Sequence, residues 1–287
     1  MATAEKTKQE KQKSNVILDY IRPHKKYPTV WCAGCGIGTV MGSILRGMID
    51  LKIHKDDVAF ISGIGCTGRM PVYLDFNTMH TTHGRALTFA TGVKMHRPKM
   101  KVIVVSGDGD ALAIGGNHFI HAARRNIDIT LVLVNNSIYG MTGGQVAPTT
   151  PIGSKAHTTP YGNYDPPFNP VDLAVSAGAT FVARSTTYAV VQTTNFIKKA
   201  INHEGFSMVE IISQCPTHYG RLNKLGNAKT MLLTQKGNSI SIKKSETLSE
   251  EELKDKIITG IFKESTRPEY TKAYRDYVNN IQSQMEE

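Results

Sequence analysis

The sequence predicts an α/β protein built on a parallel sheet with helices on both faces. Short β-branched runs such as "KVIVVSGDG" and "ITLVLVNN" end in glycine or asparagine, the pattern of strands buried on both sides. Longer segments with helical spacing alternate with them, and that alternation is how parallel sheets are wired. No internal repeat is present.

In chain order, a charged arm of residues 1–20 is expected to be flexible. The loop "WCAGCG" then runs into a helix from about Ile37, and "DVAFISGIGC" reads as a strand over 58–62 ending in glycines and Cys66. "THGRALTFATGVKMHRP" reads as a helix stopped near Pro98, "KVIVVSGDG" as a strand, "ALAIGGNHFIHAARRN" as a helix carrying some glycine cost, and "IDITLVLVNN" as the next strand. From Gly140 to Pro170 the chain is rich in Gly, Pro and Thr without helical or strand period; a loop of this length is functional or disordered. Helix and strand resume in "VDLAVSAGATFVARS", "AVVQTTNFIKKAINH" reads as a helix, and "FSMVEIISQCPTHYG" as a strand leading to Cys215. "EELKDKIITGIFKE" and "YTKAYRDYVNNIQSQ" read as charged amphipathic helices. The expected division is a basic arm (1–20), a ligand-binding domain (21–230) and a helical extension (231–287) packing on that domain or on a partner.

With 287 residues the chain can bury a sizeable core. The first twenty residues lack the apolar core of a signal peptide, and no apolar run approaches the roughly eighteen residues of a membrane span. A cytoplasmic location without a membrane partner is expected. The formal net charge of +10 invites a polyanionic partner, but no helix-turn-helix, zinc-finger or RNP-like pattern is present, so no nucleic-acid partner is expected. Basicity also suits docking of an acidic electron carrier, although charge alone does not choose.

Ligands collect at the carboxyl ends of parallel strands. Cys66, Asp108, Asn136 and Cys215 all follow predicted strands and therefore share one edge. The Asp108 carboxylate, the Asn136 amide oxygen and the carbonyl of Ile138 make a partial oxygen cage suited to Mg²⁺. Gly107 and Gly109 let the backbone approach a ligand, and a helix starting after Asp110 would offer its amides to a phosphate. The cage is thus expected to hold a magnesium diphosphate. Gly-Asp-Gly and Asn-Asn are each ordinary turn or strand-end residues. Their order and spacing, with twenty-five residues between, resemble the thiamine-diphosphate signature. A dinucleotide-binding reading is weaker, because "SGDGDALAIGG" lacks the GxGxxG arrangement.

The cysteines are Cys32, Cys35, Cys66 and Cys215. One CxxC pair and two singles do not match a zinc ribbon, and a thioredoxin-like pair leaves two thiols unexplained. On spacing alone an iron-sulfur cluster, zinc and no metal stand level.

The segments "WCAGCGIG", "GIGCTGR", "HTTHGRALTFATGVK", "SGDGDALAIGGNH", "NNSIYGMTGGQVAPTTP" and "CPTHYGRLN", in order over roughly 25–225, resemble the beta subunit of 2-oxoacid:ferredoxin oxidoreductases. The resemblance implies the diphosphate-binding half of a thiamine-diphosphate fold. It places a 4Fe-4S cluster on Cys32, Cys35, Cys66 and Cys215, and Mg²⁺ on Asp108, Asn136 and Ile138. It implies oxidative decarboxylation of a 2-oxoacid with coenzyme A, electrons passing to ferredoxin, or the reverse carboxylation. "CPTHYGRLN" and the arginine of "GCTGR" look most like the 2-oxoglutarate branch, giving succinyl-CoA and CO₂; a pyruvate or broad-range enzyme is the alternative. Because the chain has room for only one half of such a site, an alpha subunit is the expected partner, in an αβ or (αβ)₂ assembly. The chain alone is expected to be inactive.

Arg69 follows Cys66 by three residues and either binds a substrate carboxylate or contacts the diphosphate or a surface acid. His83 and Gly84 are candidate diphosphate contacts. Gly65, Cys66, Asp110, Tyr139 and Gly140 complete the expected cofactor shell. The segment from Tyr139 to Gln145 either lines the substrate pocket or merely turns the chain. A non-redox thiamine carboligase would share the diphosphate pattern without needing four cysteines. A non-catalytic scaffold would explain the cysteines but not the oxygen cage.

Overall fold

The structure is a computed structural model and describes residues 16–24 and 28–286. Most of the 1–20 arm thus lies outside the described residues; Val16–Tyr20 forms a 3₁₀ turn, with Ile17 and Tyr20 against the core. Eight strands form one sheet: β1 (Val58–Ser62), β2 (Asn77–His80), β3 (Lys101–Gly107), β4 (Thr130–Asn135), β5 (Phe181–Thr186), β6 (Ser207–Ile212), β7 (Ser239–Ser241) and β8 (Ile257–Glu264). Their order is β2-β1-β3-β4-β6-β5-β8-β7. Strands β1 to β6 pair in parallel, as the alternation of strands and helices requires.

The continuous apolar runs divide between two cores with the period of two that a strand imposes. Phe60, Ile103, Val105, Val132, Val134, Val209 and Ile211 face the helices Ile37–Asp50 and Val190–Asn202. Ile61, Val102, Val104, Leu131, Leu133 and Met208 face the helices Ala86–His96, Gly116–Arg125 and Pro170–Ser176. Strands β3 and β4 are therefore anchored on both sides, and their carboxyl ends are rigid platforms.

Four elements differ from the sequence expectation. The segment read as a helix over 251–264 is a four-residue helix, Glu250–Leu253, followed by β8, which runs antiparallel to β5. The charges suggested an amphipathic helix, but Ile257, Ile258, Thr259 and Ile261 are β-branched. Asp255 at φ 64° and Gly260 at φ 146° break helical continuity. The segment 231–287 is accordingly only partly helical and extends the sheet. The region after Asp110 opens with a π turn, Asp110–Ile114, and regular helix begins at Gly116. Edge strand β2 and the helix Ala228–Asn238 carried too little apolar period to be read.

Candidate active site

Strands β1, β3, β4 and β6 are consecutive neighbours, so the residues after their carboxyl ends meet above one edge. A cavity there is lined by Gly65, Cys66, His83, Gly107, Asp108, Gly109, Asp110, Asn136, Ile138, Tyr139 and Gly140, with Ile64, Thr67, Met141 and Thr142 completing the wall. All of the expected cofactor-contacting residues except Gly84 border it. Gly84 sits behind His83 at φ 69°, a left-handed conformation that suits glycine.

Asp108 is 2 % exposed. Its Oδ2 accepts hydrogen bonds from the Ser137 amide at 2.8 Å and the Thr149 hydroxyl at 2.5 Å. Burial pushes its pKa up to about 6 against these hydrogen bonds, and no ion pair compensates it among the described residues. A buried carboxylate in this state is suited to a cation. The loop carrying Asn136 and Ile138 is held beside it by Ser137 at φ 58° and by Thr150, whose hydroxyl donates to the Ser137 carbonyl at 2.7 Å. The oxygen cage expected from sequence therefore has its parts in one place, and this donor set fits Mg²⁺.

Asp110 does a different job from the one its position in the motif suggests. Its Oδ1 accepts from the Gly84 amide at 2.8 Å and the Ile64 amide at 3.2 Å, and lies 2.5 Å from His83 Nδ1; its Oδ2 accepts from the Ser106 hydroxyl at 2.5 Å. One buried carboxylate thus ties the turns after β1 and before the 86–96 helix to the end of β3. His83 is oriented into the cavity by that bond. Tyr139 closes the far side, donating its hydroxyl hydrogen to the Gly109 carbonyl at 2.8 Å, and burial followed by Asp108 and Asp110 pushes its pKa up to about 12. A Cβ at Gly109 would strike the Tyr139 ring.

The cysteines gather beside this cavity. A Cβ placed at Gly140 would lie 3.6 Å from the Cys66 sulfur and 3.8 Å from the Cys215 sulfur, so one backbone segment faces both thiols and lines the cavity. The Cys32–Cys35 loop closes on itself through the Cys35 amide and the Cys32 carbonyl at 3.0 Å. It is pinned to the Cys215 turn by Gly36 and Gln214. Trp31 Nε1 donates to the Cys66 carbonyl at 2.8 Å. Burial first, then the other thiols, pushes Cys35 up to about 12; burial, then Cys215 and Cys32, pushes Cys66 to about 11. Cys35 is therefore within electrostatic reach of the other three sulfurs, and Cys66 of those of Cys215 and Cys32. Among the described residues no three His, Cys, Asp or Glu side chains are spaced to share one metal ion. A cubane is larger than an ion, and four free thiols from three loops around a common space suit it.

Arg69 lies in the 3₁₀ turn after Cys66, exposed and outside the cavity wall, with no ion pair among the described residues. Thr149 went unrecognised in the sequence: it sits in a Thr-Pro-rich loop, forty-one residues from the carboxylate it binds.

Comparison with known proteins agrees with this geometry. Residues 63–211 match the family "Thiamine pyrophosphate enzyme, C-terminal TPP binding domain". Over 267 residues, 93% of this chain and 98% of the relative, the sequence is 47% identical to "2-oxoglutarate synthase subunit KorB" of Methanocaldococcus jannaschii. It is also 44% identical over 190 residues, 66% of this chain and 62% of the relative, to "2-oxoacid:ferredoxin oxidoreductase subunit beta" of Saccharolobus solfataricus. The chain belongs to the beta subunits of the 2-oxoacid:ferredoxin oxidoreductases. A solved structure of this enzyme family, "2-oxoglutarate:ferredoxin oxidoreductase from Magnetococcus marinus with 2-oxoglutarate, coenzyme A and succinyl-CoA bound", superposes with a TM-score of 0.82. It is 36% identical and covers 93% of this chain and 90% of that one. As an oxidoreductase beta subunit, the chain carries the thiamine-diphosphate-binding domain, and the cavity above β3 and β4 lies within it. Among the described residues no helix is long and apolar enough to cross a membrane.

Proposed function

We propose that the chain is the beta subunit of a 2-oxoglutarate:ferredoxin oxidoreductase, converting 2-oxoglutarate and coenzyme A to succinyl-CoA and CO₂, or catalysing the reverse carboxylation. The observation that carries this reading is the position of Gly140, which lines the diphosphate cavity and faces the Cys66 and Cys215 sulfurs, where a Cβ built on it would be in van der Waals contact with both. Such proximity serves electron transfer and has no use in a carboligase. Similarity to KorB of Methanocaldococcus jannaschii and to the solved 2-oxoglutarate enzyme favours 2-oxoglutarate over pyruvate.

Asp108, Asn136 and the Ile138 carbonyl hold Mg²⁺ in this reading, with Thr149 and the Ser137 amide fixing the carboxylate. His83, oriented by Asp110, presents its Nε2 to the diphosphate. Tyr139 keeps the Gly109 turn closed and water out of that side of the cavity. Cys32, Cys35, Cys66 and Cys215 hold a 4Fe-4S cluster. Thiamine diphosphate held there would supply a carbon nucleophile for the keto group and an electron sink, and a cluster on the four cysteines would supply one-electron transfer to ferredoxin. Arg69 stands by the Cys66 turn with its guanidinium available for the distal carboxylate of a dicarboxylic substrate. An alpha subunit supplies the other half of the site. The expected assembly is αβ or (αβ)₂.

The test is co-expression with an alpha subunit and anaerobic purification, followed by coenzyme A-dependent reduction of ferredoxin with 2-oxoglutarate and with pyruvate. A kcat/KM at least tenfold higher for 2-oxoglutarate is expected, on the order of what one recognised charged group supplies. Equal use of the two acids, or a preference for pyruvate, would overturn the substrate assignment.

A further inference from the structure

We propose that the surface formed by the Val30–Cys35 loop and the segment 216–229 is the docking face for an acidic one-electron carrier protein, gripped by Arg221, Lys224 and Lys229 around exposed Cys32. The inference rests on the oxidoreductase reading above and assigns its partner a place.

Charge is distributed unevenly along this sequence. From Ile211 to Ser245 there is no acidic residue, while six lysines and arginines are present. This is the stretch that wraps the cysteine loops: Gly220 donates its amide to the Cys215 carbonyl, and Gly34 packs against Ala228 and Pro216. Arg221, Lys224 and Lys229 are all exposed, and none forms an ion pair among the described residues. Lys224 has a left-handed backbone at φ 53° in a tight turn. Lys155 joins the same face, because Asn223 brackets its backbone with bonds of 2.7 and 3.0 Å. The cations are therefore unneutralised by the chain itself and create a positive field there.

Apolar exposure marks the same place: Val30 is 58% and Leu225 40% exposed. An apolar centre with a cationic rim suits a transient protein partner. Cys32 is exposed, whereas Cys215 is buried, so solvent and a partner reach the thiol cluster from the Cys32 side. Electron transfer weakens steeply with distance, which places the carrier on that side. Oxidation of 2-oxoglutarate with coenzyme A to succinyl-CoA, CO₂ and a proton releases two electrons. A one-electron carrier must therefore dock and leave twice per turnover, which favours a steered, salt-sensitive contact over a tight one.

The experiment uses the anaerobic αβ holoenzyme carrying K224E and K229E together, with Lys224→Gln plus Lys229→Gln as the milder pair. K99E, at the opposite end of the sheet in the turn before β3, is the control. Two readouts are taken: the KM for a purified acidic ferredoxin, and the Kd of the same ferredoxin by calorimetry, which needs no turnover. The charge reversal is expected to raise both on the order of tenfold at low salt and to flatten their salt dependence. Reduction of methyl viologen and the visible spectrum should stay as in the wild type. The K99E control should leave ferredoxin binding unchanged. An unchanged ferredoxin Kd in the double reversal, or an equal shift in K99E, would overturn the docking face. Absence of 2-oxoglutarate-dependent methyl viologen reduction by the wild type would instead count against the oxidoreductase reading, and the calorimetric Kd would still decide the docking question.

Discussion

The Thr149 hydroxyl donates a 2.5 Å hydrogen bond to Oδ2 of Asp108, tying the long loop after Gly140 to the carboxylate at the end of β3. The loop is therefore part of the proposed metal site, held further by Asn163, whose side-chain amide donates to the Thr150 carbonyl at 2.8 Å.

Thr149→Val removes that bond while keeping the side chain's shape. A hydrogen bond to a charged group contributes about 1.5–3 kcal/mol. Mg²⁺-dependent thiamine diphosphate binding should weaken on the order of tenfold or more, measured by calorimetry on the αβ enzyme. Unchanged affinity would show that the loop does not support the cage.

Asp110→Asn tests the buried junction. The amide keeps one acceptor but turns a donor toward the Ser106 hydroxyl or the Gly84 amide, leaving buried groups unsatisfied. Destabilisation of about 2–4 kcal/mol is expected in urea unfolding, together with weaker cofactor binding. A loss below about 0.5 kcal/mol would mean that the junction relaxes freely.

Arg69→Ala should raise the KM for 2-oxoglutarate on the order of tenfold while leaving that for pyruvate near its wild-type value, because only the former has a distal carboxylate. Parallel changes in both would assign the guanidinium to the cofactor or to the alpha subunit.

Much of this site was legible because its chemistry sits where strands end. Asp108 and Asn136 terminate two strong apolar runs, and the sheet places those runs side by side. Register did the rest: Gly107 pairs with Val134, so the two turns emerge level. Asp110 was legible as a position but not as a role, since its partners, Ile64, His83 and Gly84, are contributed by other turns. Strand β8 was misread because charged residues at its ends imitate an amphipathic helix, whereas pairing with β5 decides its conformation. Local pattern identifies elements; only tertiary pairing identifies a strand whose pattern is mixed.

Glu269 offers a pH test away from the site. It is buried ahead of the helix Tyr270–Glu286, and it accepts from the Thr271 and Lys272 amides at 2.9 and 2.8 Å and from the Asp128 amide at 3.1 Å. Burial works to raise its pKa, but these hydrogen bonds and that from the Thr271 hydroxyl hold it below the ordinary carboxylate value. Its folded pKa is depressed, so its stabilisation is present above the unfolded value of about 4.3 and is lost as pH falls through the folded one. Glu269→Gln should be destabilised by about 1–2 kcal/mol at pH 7, with the gap to wild type closing between about pH 5 and pH 3. A gap independent of pH would remove the charge from this account.

The most direct measurement is an anaerobic visible absorption spectrum of the purified chain, with iron and acid-labile sulfide assayed on the same sample. The account predicts a broad band near about 400 nm that bleaches with dithionite, about four irons per chain, and loss of both in Cys215→Ser. A colourless, iron-free protein that stays so after anaerobic reconstitution would contradict a redox cluster at the thiamine diphosphate edge.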